Sequence, residues 1–137
     1  MPLIKRDKQI IGNIVQALEK DDRVVFAYLY GSMVSEENGH DIDIGVYAKH
    51  HVDSESLAVD LKIEMHRKTG LPPEAFDVRL LGEIMAQGDV FGLLYLKNIV
   101  EGGKILVDKD SDVRAEFLER YGLRFRECEG LIQEVLA

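Results

Sequence analysis

The feature that most constrains this chain is a pair of aspartates, Asp41 and Asp43, separated by one residue within an apolar run. The flanking residues Ile42 and Ile44 predict a β-strand. Side chains two residues apart on a strand project from the same face, with Cα atoms roughly 6.6 Å apart. Two carboxylates this close repel each other unless a cation lies between them, and oxygen ligands suit Mg²⁺ or Mn²⁺. The pair therefore predicts a metal site whose strand buries its other face in the core.

A second motif precedes the aspartates. The apolar run Val24–Tyr30 predicts a strand buried on both faces, and Gly31 and Ser32 follow it at once. A short helix is expected over residues 33–37, with Ser32 as its N-cap, before Asn38-Gly39 ends it. Ser32 has two interpretations, a plain helix cap or a cap that also contacts a phosphate. A phosphate cradle near a carboxylate pair indicates phosphoryl or nucleotidyl transfer.

A third acid completes the candidate site. The run FDVRLL predicts a strand over Phe76–Leu81, with Phe76, Val78 and Leu80 on one face and Asp77 on the other. An isolated aspartate on a strand is ordinarily a solvent-facing or edge residue. Beside an Asp-x-Asp strand, however, Asp77 becomes a candidate third ligand.

The remaining periodicities predict one domain of alternating helices and strands. With 137 residues and 46% apolar composition, the chain is long enough to bury a core of its own. Caps, stops and apolar spacing predict the other elements. These are helices over Asp7–Lys20, Ser54–Thr69, Asp89–Glu101 and Ser111–Tyr121, an interruption at Gly122, a continuing helix over Leu123–Leu136, and a short strand over Ile105–Val107.

The charge balance bears on the partner. The 25 acidic and 17 basic residues give a net charge of −8, whereas a protein that grips nucleic acid normally presents a basic surface. This weighs against a template-copying polymerase and favours metal binding or a basic protein partner. No apolar run suggests a membrane span or a secretion signal, so no membrane role is expected. The single cysteine, Cys128, excludes an internal disulfide and fits the cytoplasm, where it is expected to pack as a small hydrophobic residue.

The three motifs together, YGS at Tyr30–Ser32, DID at Asp41–Asp43 and FDV at Phe76–Val78, resemble the nucleotidyltransferase motif of the DNA polymerase β superfamily. More narrowly, the chain is similar to the minimal nucleotidyltransferases, the MNT or MntA-type antitoxins encoded beside HEPN toxins. The resemblance implies an α/β (α+β) nucleotidyltransferase fold, a small mixed sheet of about four strands packed by helices on one side. The core would span about residues 10–108, with C-terminal helices over about 111–136 of a single domain, 1–137.

The resemblance also implies roles for the matching residues. Gly31 and Ser32 would hold the triphosphate of ATP, and Asp41 and Asp43 would bind Mg²⁺ or Mn²⁺. Asp77 would complete a two-metal site and help to deprotonate the attacking hydroxyl. The acceptor would be a tyrosine hydroxyl of a HEPN-family toxin, in a possible homo- or hetero-oligomer. Two features depart from the family pattern: only eight residues separate Ser32 from Asp41, and no Arg-Gly follows the Gly-Ser step.

Two other functions remain open at this point. The chain could be a weakly active or inactive antitoxin of the same fold that neutralises its partner by binding, for which the acidic surface is suited. It could also adenylylate a small molecule, although that function would call for an additional domain to hold the acceptor. A haloacid-dehalogenase phosphatase is disfavoured, because Ile44-Gly45 stands where an Asp-x-Asp-Gly-Thr run is expected.

Overall fold

The computed structural model describes residues 4–5, 7–35, 38–39 and 41–137 and arranges them as a mixed sheet with helices on both faces. A single turn of 3-10 helix, Pro73–Ala75, precedes the fifth strand. The elements in chain order are β1 (Ile4–Lys5), α1 (Lys8–Lys20), β2 (Val24–Tyr30), α2 (Ser32–Ser35), β3 (Asn38–Gly39), β4 (Ile42–Ala48), α3 (Ser54–Thr69), β5 (Phe76–Leu80), α4 (Leu81–Gln87), α5 (Val90–Gly102), β6 (Lys104–Asp108), α6 (Ser111–Glu127) and α7 (Glu129–Leu136).

The main sheet has four strands in the order β5-β4-β2-β6. Strand β2 pairs antiparallel with β4 on one side and with β6 on the other, whereas β4 and β5 are parallel. A parallel pair needs a crossover, and α3 supplies it. All seven residues of β2 are buried, as its unbroken apolar run predicts. The predicted small mixed sheet of about four strands is confirmed. Strands β1 and β3 form a separate two-residue ladder.

Helices α1 and α3 cover one face of the sheet. The Asp7 side chain caps α1 by accepting a hydrogen bond from the Ile10 backbone N–H at 2.7 Å. Gly70 ends α3 in the left-handed conformation, and its N–H donates to the His66 carbonyl. The core on this face takes the even-numbered residues of β4 and β5: Ile42, Ile44, Val46, Phe76, Val78 and Leu80, packed on Ile14, Leu18, Leu57, Leu61 and Met65.

Helices α4 to α7 cover the opposite face. Phe26 and Tyr47 stack there with ring centroids 4.9 Å apart, and Phe117 of α6 packs on both rings. Gly45 allows the close packing, because a Cβ at that position would lie 2.8 Å from Leu81 Cδ2. This face carries the odd-numbered residues of β4 and β5, which include Asp43 and Asp77. The resemblance implied helices on one side plus C-terminal helices; here α4 and α5 join the C-terminal pair on this second face.

The sequence missed or misplaced several boundaries. Helix α4 was not predicted at all. The interruption predicted at Gly122 is wrong: α6 runs through it, and the break falls at Cys128, which packs against the core as expected. Asp110, rather than Ser111, caps α6, since its side chain accepts from two backbone N–H groups.

The segment between Ser32 and Asp41 is only partly described. Helix α2 contains Ser32 as its first residue, so Ser32 is not a flanking cap. Residues 36 and 37, where the predicted helix was to continue, and His40 lie outside the described residues. In the part of the chain that is described, none of the helices has the length and apolar character needed to cross a membrane.

Candidate functional site

Three neighbouring strands place Tyr30, Asp43 and Asp77 in a row. Tyr30 of β2 is the register partner of Asp43 on β4, and Asp43 is the register partner of Asp77 on β5. Paired residues on adjacent strands lie about 5 Å apart and project from the same face. The sheet thus brings together two acids that stand 34 residues apart in the sequence. Asp41 is exposed and lies two residues before Asp43, one residue before β4 begins; we call Asp41, Asp43 and Asp77 together the acidic row.

The electrostatics show that the three carboxylates crowd one another. The pKa of Asp43 is raised to about 6, first because the group is half-buried and then because Asp77 and Asp41 repel its charge. Arg79 acts in the opposite direction. A carboxylate that ionises this reluctantly gains most from a cation placed beside it.

Arg79 lies on the same face as Asp77, two residues further along β5. Its Nε donates to Asp77 Oδ1 at 3.1 Å, and this contact raises the pKa of Arg79. Both side chains are well exposed, Arg79 at 58% and Asp77 at 39%. Among the described residues, Arg79 is the basic side chain that forms an ion pair with one of the three aspartates.

Gly31 brings the chain backbone against the Asp43 carboxylate. Its φ of +75° lies in the left-handed region, and a Cβ there would lie much closer to Asp43 Oδ2 than van der Waals contact allows. Ser32 opens α2 and is half-buried, while the fully buried Met33 anchors the turn in the core. The predicted phosphate cradle therefore adjoins the predicted metal ligands.

Tyr30 and Tyr95 form a hydroxyl pair beside the acids. Their phenol oxygens share a short hydrogen bond, and the rings meet edge to face at 5.7 Å. Burial raises the pKa of both hydroxyls, and for Tyr30 the Tyr95 hydrogen bond and the Asp43 charge add to this. Both therefore stay neutral and form one wall of the site. Sequence reasoning missed Tyr95. Strand alternation places Arg79 on the same face as Asp77, but the sequence pattern assigned it no role.

The donor set fits a hard divalent cation. Among the described residues, no group of three or more acidic, histidine or cysteine side chains is placed to hold a metal ion by itself. Mg²⁺ seldom needs such a group, because it is usually held by one or two carboxylates, with substrate phosphates and water completing the octahedron. An open row of Asp41, Asp43 and Asp77 beside the Gly31 turn has this character.

A pocket of about 810 Å³ lies at the other end of the strands, away from the aspartates. Its lining comes from the start of β2, the end of β4 and one side of α6. The Tyr47 hydroxyl accepts a hydrogen bond from Arg120 at 3.0 Å beside it. This pocket therefore lies apart from the acidic row.

Comparison with known proteins points to one family. Residues 12–112 match the family model described as polymerase beta, nucleotidyltransferase. That span runs from α1 into the start of α6 and contains every residue of the acidic row. No curated protein matches the sequence significantly.

Solved structures share the fold at low sequence identity. A chain of the MntA–HepT toxin–antitoxin complex is 18% identical, with a TM-score of 0.58 over 96% of this chain and 100% of that one. A chain of a toxin–antitoxin complex with AMP-PNP is 20% identical, with a TM-score of 0.60 over 93% of this chain and 98% of that one. A chain of the complex between a tri-AMPylated Shewanella oneidensis HEPN toxin and an MNT antitoxin is 19% identical, with a TM-score of 0.57 over 93% of this chain and 97% of that one. At these identities the likeness is one of fold.

Proposed function

This chain belongs to the polymerase beta nucleotidyltransferase family, and we propose that it transfers AMP from ATP to a hydroxyl group of a partner protein. The acceptor in this proposal is a tyrosine of a HEPN-type toxin, which makes the chain an antitoxin. Gly31 and Ser32 bind the triphosphate, Asp41, Asp43 and Asp77 bind the metal, and Asp77 also receives the acceptor's proton.

The observation that carries the proposal is the alignment of Asp43 with Asp77, with the Gly31 backbone against Asp43. Nucleotidyl transfer needs phosphate positioning and concentrated positive charge more than it needs a covalent intermediate. Strand pairing supplies an acidic row, and the left-handed turn supplies backbone at its edge. The acidic row does not stabilise the fold, since burial and then repulsion from Asp77 and Asp41 raise the pKa of Asp43.

The transfer step is an in-line displacement at the α-phosphorus of ATP. The acceptor oxygen forms a bond to the α-phosphorus while the bond from that phosphorus to the bridging oxygen of the β-phosphate breaks. AMP remains on the acceptor and pyrophosphate leaves. The hydroxyl proton passes to a carboxylate, for which Asp77 is suited because it lies on an edge strand and is partly exposed. The neutral Tyr30–Tyr95 pair bounds the site without competing for that proton.

Mg²⁺, when bound, supplies the positive charge that offsets the phosphates and the developing charge on the leaving group. Asp41, Asp43 and Asp77 would be the residues that hold it. The donor chemistry does not distinguish Mg²⁺ from Mn²⁺.

The choice of acceptor rests on the similar structures. The neighbours include a HEPN toxin that carries AMP groups while bound to an MNT antitoxin, and a toxin–antitoxin complex with the ATP analogue AMP-PNP. The net charge of −8 favours a basic partner. We place the reaction in the cytoplasm, where ATP is available and a single unpaired cysteine is stable.

The test is label transfer. The chain is co-purified with the protein encoded beside it and incubated with Mg²⁺ and ATP labelled at the α-phosphate. We expect label on a tyrosine of the neighbour, none from ATP labelled at the γ-phosphate, and loss of transfer in Asp43→Asn and Asp77→Asn.

A second candidate, neutralisation by binding alone, is favoured by the acidic surface and by the absence of a converged metal cage among the described residues. Tight binding of the neighbour with no label on it under any divalent cation would establish that function and overturn ours.

A further inference from the structure

The acidic row has a cationic side chain that neither the metal site nor the proton transfer employs. Arg79 sits on β5, an edge strand, two residues beyond Asp77 and on the same face of the sheet. Its position is fixed by strand alternation from Asp77. Its guanidinium therefore lies beside the acidic row, at which the proposed function places ATP.

The ion pair of Arg79 with Asp77 has the features of a contact that another anion can displace. It is a single contact from Nε, at 3.1 Å, so it lacks the two parallel hydrogen bonds that make arginine–carboxylate pairs strong. Solvent reaches 58% of the arginine side chain, and exposed pairs contribute little to stability. By contrast, Arg23 makes two contacts with the half-buried Asp21 and a third with Asp60. Arg23 has the character of a structural arginine, whereas Arg79 does not.

A nucleotide is a better partner for this guanidinium than Asp77 is. A triphosphate presents several charged oxygens that match the fork of N–H donors, and arginine is the side chain best suited to bind them. Asp77, for its part, is needed for the metal and for the proton under the proposed function, and an arginine on its Oδ1 competes with both.

We propose that Arg79 is a nucleotide-binding residue whose guanidinium leaves Asp77 and contacts the phosphates of ATP. This inference rests on the proposed function, because it takes ATP as the substrate of the acidic row. Binding of the nucleotide then frees the Asp77 oxygens at the moment they are required. In the nucleotide-free protein the same contact holds Asp77 in place and offsets part of the charge of the row.

The experiment measures nucleotide binding by isothermal titration with Mg²⁺ present. We expect Arg79→Gln to weaken ATP binding roughly 10-fold or more, ~1.4 kcal/mol, and Arg79→Lys to weaken it less, since lysine keeps the charge but loses the fork. Adenosine, which has no phosphate, should bind both variants as it binds the wild type. The matched control is Arg67→Gln, which removes an exposed arginine paired with Glu64 on α3. It should stay within about twofold of the wild type.

A double substitution separates phosphate contact from simple neutralisation of Asp77. If Arg79 only offsets Asp77, then Arg79→Gln has no effect in an Asp77→Asn background. We expect the loss of ATP affinity to persist there. Circular dichroism and thermal unfolding verify that each variant folds.

The outcomes distinguish this inference from the proposed function. Suppose that the wild type transfers AMP. If Arg79→Gln then binds ATP as tightly as the wild type, or if its loss of affinity disappears in the Asp77→Asn background, the role of Arg79 is overturned and the proposed function stands. If the wild type transfers no AMP, but Arg79→Gln weakens ATP binding and does so in the Asp77→Asn background as well, the role of Arg79 is supported and the proposed function is overturned. A wild type that does not bind ATP overturns both.

Discussion

At Asp43, the proposed metal binding and the stability of the fold place opposite demands on one side chain. Its pKa is raised to about 6 from an ordinary value of 3.8, chiefly by burial and then by Asp77 and Asp41. Between those two pH values the folded protein binds more protons than the unfolded chain. The free energy of unfolding therefore falls as the pH rises through this window, and the cost is complete above it. The metal-free protein thus carries an unfavourable charge at neutral pH.

Replacement of that charge should stabilise the metal-free protein. We expect Asp43→Asn, in EDTA at pH 7.5, to unfold at a higher urea concentration than the wild type, with a much smaller difference at pH 4.5. One pKa unit corresponds to ~1.4 kcal/mol. Because Asp43 is only half-buried, solvent screening reduces the whole gain to about 1 kcal/mol. Glu116→Gln, which removes an exposed carboxyl on α6, serves as the control and should leave the urea midpoint at pH 7.5 close to that of the wild type. A loss of stability at pH 7.5 in Asp43→Asn would instead assign Asp43 a structural role.

Gly31 is the second residue at which the site dictates a residue type. Two separate effects oppose a side chain there: the left-handed φ of +75° and the carboxylate of Asp43. We expect Gly31→Ala to cost about 2 kcal/mol or more of unfolding free energy, since the strain alone is worth ~1–2 kcal/mol. AMP transfer should fall further than the loss of folded protein explains, because the Cβ displaces Asp43. Urea denaturation and the label assay measure the two effects.

Gly70 provides the matched control for Gly31. It has nearly the same φ, +78°, but nothing lies within 4 Å of a Cβ placed on it. Gly70→Ala therefore carries the backbone strain without the clash, and its transfer activity per folded molecule should equal that of the wild type. Equal losses of stability and activity in the two variants would show that close approach to Asp43 is unimportant.

At the scale of the elements, local signals account for the successes of sequence analysis. Strand β2 and helix α3 have their predicted bounds to the residue, Val24–Tyr30 and Ser54–Thr69. In β2 an unbroken apolar run ends at Gly31, and in α3 an amphipathic pattern ends at Gly70. In each case composition and a terminating residue agree, so no tertiary information is needed.

The failures occur where tertiary packing decides. Helix α4 is short and lacks a side-chain N-cap, and its buried Leu81 follows directly on β5. The local signals were the spacing of Leu81, Ile84 and Met85 and the terminating Gly88. In α6 the buried Phe117 and Tyr121 hold the helix to the core. Their burial outweighs the cost of a mid-helix glycine at position 122, ~1 kcal/mol.

The sequence named Asp41, Asp43 and Asp77 as candidate site residues but did not give their arrangement. Strand alternation accounts for the face on which Asp43 lies, whereas Asp41 comes one residue before β4 begins. The placement of Asp77 beside Asp43 depends on the parallel register of β4 and β5, which the α3 crossover and its packing determine. No local pattern encodes that register. The position of Tyr95 at the site is harder still to predict, because this residue comes from a helix packed over the sheet.

At the scale of the whole molecule, the two faces of the sheet have separate tasks. The face under α1 and α3 is entirely apolar in β4 and β5, and it provides rigidity. The other face is aromatic in its middle, at Phe26, Tyr47 and Phe117, and acidic at one end. Because the apolar face is rigid, the opposite face can hold three carboxylates close together although they repel one another. A small flexible scaffold would relieve that repulsion by moving the carboxylates apart.

The charge of the whole chain leads to a last prediction, that transfer is independent of nucleic acid. Contact with a phosphate backbone must be supplied by lysine and arginine, and the excess of eight acidic charges opposes it. We expect no binding of labelled RNA or duplex DNA by fluorescence anisotropy, even at roughly 50 mM salt, where such contacts are strongest. Addition of either polymer should leave AMP transfer to the neighbouring protein unchanged. Salt-sensitive stimulation of transfer by RNA or DNA would contradict this, and would point to a template-dependent enzyme despite the acidic surface.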